Sequence, residues 1–494
     1  MQQKKLDFEH EKHFTMKIKI TPQQLNGTIE AIPSKSHAHR ILIAQKLASL
    51  QGGGQKNPAQ IPTFSEDIDA TKSCLLQLEQ ELPRFDCRES GSTIRFMIPV
   101  AMALKKEAVF YGSGKLPRRP LSPLKEEMER HGCRFEMPAP DAAKIAAPEA
   151  FEAAKASGRG VTSEICRIRG RLQPGEYRLA GNISSQFITG LLFALPLLDG
   201  DSCLQLTTKL ESAGYVDLTL QVLREFGIRI REIRESVPAE SKSDFAAEPA
   251  AKSRTNSEDY LIRYEIPGRQ TYHEPNDLKV EGDWSNAAFW LTAGALGGHI
   301  TCTGLNPDST QRDKEIITVL QSMGAEIKRE NTTYHIAGSG TSLHGETVSA
   351  SQFPDLVPIM AVAMAEAGGT SAITDARRLR IKESDRLAAV CDLLTRLGTD
   401  IRQTEDGLII HGNSLENNNE YTPAGTAAHC PAPLLHGGTV SSHNDHRIAM
   451  AAAVASCGAD GPVIITGAEA VKKSYPDFFT DFVKLGGKIE ILED

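Results

Sequence analysis

A short, almost wholly apolar helix pattern recurs six times along this chain, and each copy opens on a polar turn. The copies begin near Ser36 (SHAHRILIAQKLAS), Ser92 (STIRFMIPVAMAL), Ser185 (SQFITGLLFALPLL), Ser285 (SNAAFWLTAGAL), Asp355 (DLVPIMAVAMAEAG) and Asp445 (DHRIAMAAAVASCG). A helix that is apolar all round has no face to offer water, so strands and other helices must pack about it. Only its N-terminus is left to meet solvent or a ligand.

A second, amphipathic helix follows each copy. Five of these run into glycine before a new strand, at Gly132, Gly227, Gly324, Gly398 and Gly486, the residue that most readily turns a helix end out of its path. The first, DATKSCLLQLEQELPRF, lacks the glycine. The spacing is too long for a solenoid repeat and suits a two-helix α/β unit. Six such units account for nearly the whole chain.

At 494 residues, 40% hydrophobic and 24% charged, the chain is long enough for two or more domains. Its opening residues to about Thr15 are polar and expected to fray, and Lys17–Ile20 alternates like a strand. Ser236–Asp259, Asn413–Gly437 and the shorter Gly52–Gln60 read as surface inserts. No apolar run approaches the roughly 18 residues needed to span a bilayer. Nine cysteines without a CxxC pair fit buried thiols in a reducing cytoplasm. His37 and His39, or His443 and His446, are close in sequence, but nothing completes a zinc ligand set.

A net charge of −8 argues against nucleic-acid binding. Any anion site must therefore concentrate its cations locally, and the helix openings do so. They carry Lys35, Ser36 and Arg40; Ser90, Gly91, Ser92 and Arg95; Ser184, Ser185 and Gln186; Asp283 and Ser285; Asp355; and Asn444, Asp445 and Arg447. Arg119 and Lys473 stand in turns. Arg40, Arg95 and Arg447 fall inside apolar helices, where an unpaired charge is costly unless a ligand or buried partner meets it. The stretch LRIKESDRL adds Lys382, Glu383 and Arg386 at a helix start, read as a strand-like LRI giving way to a helix at Ser384-Asp385. Exposed backbone N–H groups and the helix dipole favour anions there.

In order, PSKSHAHR, ESGSTIRF, LPRRPLSPL, NISSQF, EGDWSNAAF, FPDLVP, LRIKESDRL, NDHRIAM and VKKSYPDF closely resemble the motifs of the enolpyruvylshikimate-phosphate (EPSP) synthase family, from about Met16 to the C-terminus. The resemblance implies an α/β fold of two domains, each of three βαβαββ units, six repeats in all, with the active site in the cleft between them. It implies an extension at 1–15, an upper domain at 33–281, and a second domain from 16–32 with 282–494.

The family reaction moves the enolpyruvyl group of phosphoenolpyruvate to the 5-hydroxyl of shikimate-3-phosphate, on the route to chorismate and the aromatic amino acids, without metal or organic cofactor. By motif match, Lys35, Ser36, Arg40, Ser184, Ser185, Gln186 and Ser212 would hold shikimate-3-phosphate. Gly91, Arg119, Arg386, Arg447 and Lys473 would hold phosphoenolpyruvate, which Lys35 and Gln186 also reach. Lys382 would bind the shikimate side, Asp355 stands as the base and Glu383 as the acid, with Lys35 beside them. Arg378 and Glu89 depart from residues common in the family and are assigned no role. The expectation is a cytoplasmic monomer acting on these small molecules alone. A sister transferase acting on a UDP-amino sugar usually carries a reactive loop cysteine, and a mere phosphate binder would not need both carboxylates.

Overall fold

The computed structural model describes residues 15–138, 162–236, 260–338, 343–412 and 435–493. Most of the polar opening stretch and of the two long inserts lies outside the described residues. Among the described residues twelve α-helices follow in chain order: α1 (Lys35–Leu50), α2 (Glu66–Gln77), α3 (Gly91–Leu104), α4 (Leu124–Arg130), α5 (Ser185–Ala194), α6 (Ala213–Glu225), α7 (Trp284–Ala295), α8 (Ile316–Ser322), α9 (Val357–Ala365), α10 (Arg386–Arg396), α11 (His446–Ala455) and α12 (Phe478–Lys484).

The odd-numbered helices are the six apolar patterns. Every residue of α7, α9 and α11 is buried. Side-chain oxygens of Ser34, Ser90, Ser184, Asp283 and Asp445 cap α1, α3, α5, α7 and α11, taking up backbone N–H groups that the first turn leaves unpaired. The even-numbered helices are amphipathic, and the five glycines that follow them all adopt positive φ. Close helix packing shows at Gly190 of α5, where a Cβ would meet the Arg95 carbonyl of α3 and lie 3.0 Å from Pro99 Cγ.

Five four-stranded sheets share one plan among the described residues, a parallel pair at one edge followed by two antiparallel pairings. In spatial order they are Arg84–Asp86, Glu107–Gly112, Ser163–Gly170 and Cys133–Glu136; Glu176–Leu179, Ser202–Leu206, Tyr260–Ile266 and Arg231–Ser236; Asn26–Glu30, His299–Thr303, Thr333–Ala337 and Ile327–Glu330; Thr347–Ser349, Thr370–Thr374, Leu408–His411 and Asp400–Gln403; and Gly438–Ser441, Val463–Thr466, Lys17–Thr21 and Lys488–Leu492. The chain's first two strands thus complete sheets otherwise built from its second half.

The unit holding α1 and α2 has both helices but no sheet among the described residues. Its connection Gly52–Phe64 carries Pro58 and Pro62, which have no N–H to give a ladder. It is held instead by Glu274, whose backbone N–H donates to the Gly53 carbonyl (2.9 Å) and whose carboxylate accepts from the Gln55 amide (3.1 Å) and the Gln45 side chain (2.6 Å).

Buried apolar residues gather in two clusters. One takes in Ala38 to Tyr272, the other Ile18 to Ile29 together with Trp284 to Leu485. The chain passes between them twice, side by side, where Pro33 bridges Gly282 and the Ser34 and Asp283 amides donate to the Glu281 and Ile32 carbonyls, each at 2.8 Å.

Candidate active site

The openings of α1, α3, α5 and α11, and the turn before α9, face one pocket between the two bodies. Their dipoles point a partial positive charge into it. Eight cations line it, Lys35, Arg40, Arg95, Arg119, Arg378, Lys382, Arg386 and Arg447, against only Asp67, Asp355 and Glu383. In a chain of net charge −8, that local excess marks a site for polyanions.

Two of these cations, Arg40 and Arg95, have no carboxylate partner among the described residues. Arg40, 3% exposed, donates only to neutral oxygens: Thr219 Oγ1 and the Tyr215 carbonyl at 2.8 Å and the Ser36 carbonyl at 2.6 Å, with Thr189 Oγ1 at 3.4 Å. Burial pushes its guanidinium down to about 9, as it does Arg95, where Arg119 adds repulsion. Arg95 donates to Gln186 Oε1 and lies over the Phe187 ring at 5.2 Å. The Nε atoms of Arg95, Arg119 and Arg447 are buried without a hydrogen-bond partner among the described residues.

The carboxylates meet at Arg386, 1% exposed at the start of α10. Its Nη1 is 2.7 Å from Asp355 Oδ1, its Nη2 2.7 Å from Glu383 Oε2, and its Nε 2.8 Å from Asp445 Oδ2. Asp355 also faces Arg447 at 3.1 Å and Lys382 at 3.7 Å. Burial would raise Asp355, but Arg447, Lys382 and Arg386 outweigh it and hold the carboxyl well below the usual carboxylate range. Glu383 is held low in the same way by Arg386 and Arg119, the latter 3.7 Å away. Lys382 is pushed down to about 8 by burial, against the attraction of Asp355.

Of the residues singled out from sequence, Lys35, Ser36, Arg40, Gly91, Arg119, Ser184, Ser185, Gln186, Ser212, Asp355, Lys382, Glu383, Arg386 and Arg447 all line this pocket. Lys473 stands back from the lining. Its Nζ bonds to Glu89 Oε2 and the Asn444 carbonyl, each at 2.8 Å, so Glu89 is the partner of a cation rather than a free group. Residues 377–381, read as strand-like at LRI, form a 3₁₀ turn, and Asp385 rather than Ser384 caps α10.

The pocket also includes Asp67, Tyr215, Arg378 and His446, which sequence reasoning did not assign to it. Asp67 pairs with Lys35 at 2.8 Å. Arg378 clasps the opposite body: it donates to Ser212 Oγ at 2.8 Å and lies 3.0 Å from Glu211 Oε2. Ser212 itself sits at φ +53°, a strained conformation for a residue with a side chain, and its amide donates to the Ser351 carbonyl across the cleft at 3.0 Å. The departure at Arg378 was the only signal available for that clasp.

The solved EPSP synthase of Acinetobacter baumannii shares this fold at a TM-score of 0.67 and 22% identity, over 97% of this chain and 100% of its own. The enolpyruvyl transferase NikO of Streptomyces tendae shares it at 0.62 and 15%, over 97% and 99%. The architecture is therefore that of the enolpyruvyl transferases. Sequence narrows the class: the model of the family described as EPSP synthase (3-phosphoshikimate 1-carboxyvinyltransferase) matches residues 71–248 and 250–482. The 3-phosphoshikimate 1-carboxyvinyltransferase of Clostridium novyi is 39% identical over 501 residues, covering 96% of this chain and 98% of that one; the Clostridioides difficile enzyme of the same name is 37% identical with the same coverage. The chain belongs to the EPSP synthase family.

Proposed function

We propose that the cleft transfers the enolpyruvyl group of phosphoenolpyruvate to the 5-hydroxyl of shikimate-3-phosphate and releases phosphate, through addition and then elimination from a tetrahedral intermediate. One observation carries this reading: two half-buried carboxylates, Asp355 and Glu383, share one buried arginine at the centre of a cation-rich pocket. The cations neutralise two polyanions in one enclosed space, and the carboxylates supply proton transfer where the anions meet.

In this reading Lys35, Ser36, Arg40, Ser184, Ser185, Gln186, Ser212 and Lys382 hold shikimate-3-phosphate. Arg119, Arg386 and Arg447 hold phosphoenolpyruvate against Gly91, with Lys35 and Gln186 between the two ligands and Lys473 at the edge. Asp355 takes the hydroxyl proton and Glu383 protonates the methylene carbon. The two core clusters support an upper domain at 33–281 and a second domain at 16–32 and 282–494. No described helix is long and apolar enough to cross a membrane. From the family resemblance we infer a cytoplasmic monomer.

The direct test is release of inorganic phosphate. Phosphoenolpyruvate with shikimate-3-phosphate should yield it, and either compound alone should not. Release that ignores shikimate-3-phosphate, or that requires a UDP-amino sugar instead, would overturn the assignment.

Gly91→Ala tests the phosphoenolpyruvate subsite. A Cβ there would strike Arg119 Nη1 and come within 2.8 Å of its Cζ and 3.0 Å of its Nη2. The guanidinium is the far end of a flexible chain, so it moves and the fold survives. Losing one charge-assisted contact at its weak end should raise the KM for phosphoenolpyruvate about tenfold. Shikimate-3-phosphate should bind almost as before, and equal losses for both substrates would refute the placement.

A further inference from the structure

Tyr215 of α6 reaches from the upper body to two carboxylates of the other. Its phenol oxygen lies 2.8 Å from Asp355 Oδ2 and 3.1 Å from Asp313 Oδ2. A phenol has one proton and can donate it to only one of them.

The two acids are unlike. Asp355 pairs with Arg386, Arg447 and Lys382. Asp313 lies in the turn Arg312–Glu315, 3% exposed, and its Oδ2 accepts the Ser285 hydroxyl while its Oδ1 is buried without a hydrogen-bond partner among the described residues. A buried carboxylate oxygen left bare is costly as an anion, but much less so once it carries a proton. The charged groups facing Asp313 are Asp355 and Asp283, which favour that proton, and Arg447, which opposes it. With burial the largest influence, the carboxyl is pushed up to about 6.

We infer that Asp313 is a proton store for Asp355, filled through Tyr215 during turnover. This rests on Asp355 being the base of the proposed reaction. As the hydroxyl O–H bond breaks, Asp355 takes the proton. It passes that proton to the Tyr215 oxygen while the Tyr215 O–H bond breaks and its own proton joins Asp313 Oδ2. Asp355 returns to carboxylate, Tyr215 stays neutral, and Asp313 becomes a carboxylic acid. The proton leaves by the reverse path on the departing phosphate, which must gain one. Asp355, held low by three cations, is a poor resting place for a proton, whereas Asp313 is a better one. Asp313 does not touch substrate; it acts through Tyr215 and is a positioning residue.

Asp313→Asn keeps the shape and can still accept from Ser285 and Tyr215. Its kcat should fall roughly 10- to 100-fold at pH 7.5, on the order of the lower end for proton-transfer groups, with both KM values within about twofold. In the wild type kcat should decline below about pH 6, where the store is already full; this acid limb should vanish in Asp313→Asn. Tyr215→Phe should lose the limb too, and the double variant should be no slower than the slower single one, because both cut one path. Tyr215→Phe also serves if Asp313→Asn fails to fold.

An activity-free readout follows from linkage. Asp313 in the fold has its proton affinity raised above that of the unfolded chain, so it costs stability as pH rises through about 6. Asp313→Asn should therefore gain in melting temperature over wild type between pH 5 and pH 8. An Asp313→Asn enzyme with wild-type kcat and an unchanged acid limb overturns the store, as does a rise in KM alone. If Asp355→Asn, measured alongside, kept nearly full kcat, the base assignment itself would fail; a dead Asp355→Asn with an unaffected Asp313→Asn sinks only the store.

Discussion

Arg386→Met should lower the apparent melting temperature by on the order of 10 °C at pH 7.5 and abolish turnover. Arg386 is 1% exposed and, among the described residues, is the only cation bonded at once to Asp355, Glu383 and Asp445. Methionine fills a similar volume without a charge, so the loss comes from the three carboxylates left behind rather than from a cavity. Removing one partner of a buried ion pair typically costs about 3–5 kcal/mol. Asp445 suffers most directly: it is fully buried, and with Arg386 gone its Oδ2 keeps the Ser384 hydroxyl at 3.0 Å and its Oδ1 keeps the Arg447 backbone N–H at 3.0 Å.

The pH dependence separates this cause from simple misfit. In the wild type Asp355 and Glu383 are held below the usual range, so the stability they add is present above about pH 4, the unfolded carboxylate value, and is lost on further acidification. In Arg386→Met the chief cation of Glu383 is gone, and burial then favours the protonated form of that acid. Folding takes up protons, so the variant gains stability as pH falls. The gap in melting temperature between the two proteins should therefore be widest near pH 8 and shrink towards pH 5. A gap that does not change with pH would mean that packing, not charge, is what Arg386 supplies.

Much of this arrangement is legible in the chain because it is repeated. Six apolar helices cannot all be buried without strands between them, and the polar turn before each leaves its N-terminus free to meet a ligand; that the openings at Ser36, Gly91, Ser185, Asp355 and Arg447 share one cleft comes only from the family resemblance. Gly227 and its counterparts betray the second helices, because positive φ after a helix is a local requirement that only glycine meets freely. What escapes detection depends on long-range approach. Tyr215 reads as one more residue of an amphipathic helix, and nothing local tells that it bonds to Asp355, 140 residues away. Asp313 sits among Arg312, Lys314 and Glu315, where a charged turn is ordinarily solvated. The stretch after α1 reads as an insert and forms no described strand, but that Glu274 holds it is not legible in the chain. Lys473 is the converse case: its motif is plain, while the ion pair its ammonium makes with Glu89 shows in the chain only as a departure at residue 89.

The two carboxylates at Arg386 should separate cleanly by their chemistry. Glu383 is ionised in this structure, 2.7 Å from Arg386 and 3.7 Å from Arg119, so it can act as an acid only after something offsets those cations. Phosphoenolpyruvate does so in the proposed complex: its phosphate and carboxylate draw on the same guanidiniums, and the proton affinity of Glu383 rises as it binds. Asp355, ringed by Arg386, Arg447 and Lys382, stays ionised and ready to accept. Asp355→Asn and Glu383→Gln preserve size and leave no cavity, so both should fold, bind substrates and lose roughly 10²–10⁴ in kcat. The measurement that tells them apart is uptake of solvent deuterium into the methylene group of phosphoenolpyruvate with shikimate-3-phosphate present. Glu383→Gln should abolish it, since no acid remains to protonate that carbon reversibly. Asp355→Asn should only slow it, because water can still take the hydroxyl proton. Exchange at the wild-type rate in Glu383→Gln would strip Glu383 of the acid role and leave it as an electrostatic partner of Arg386 and Arg119.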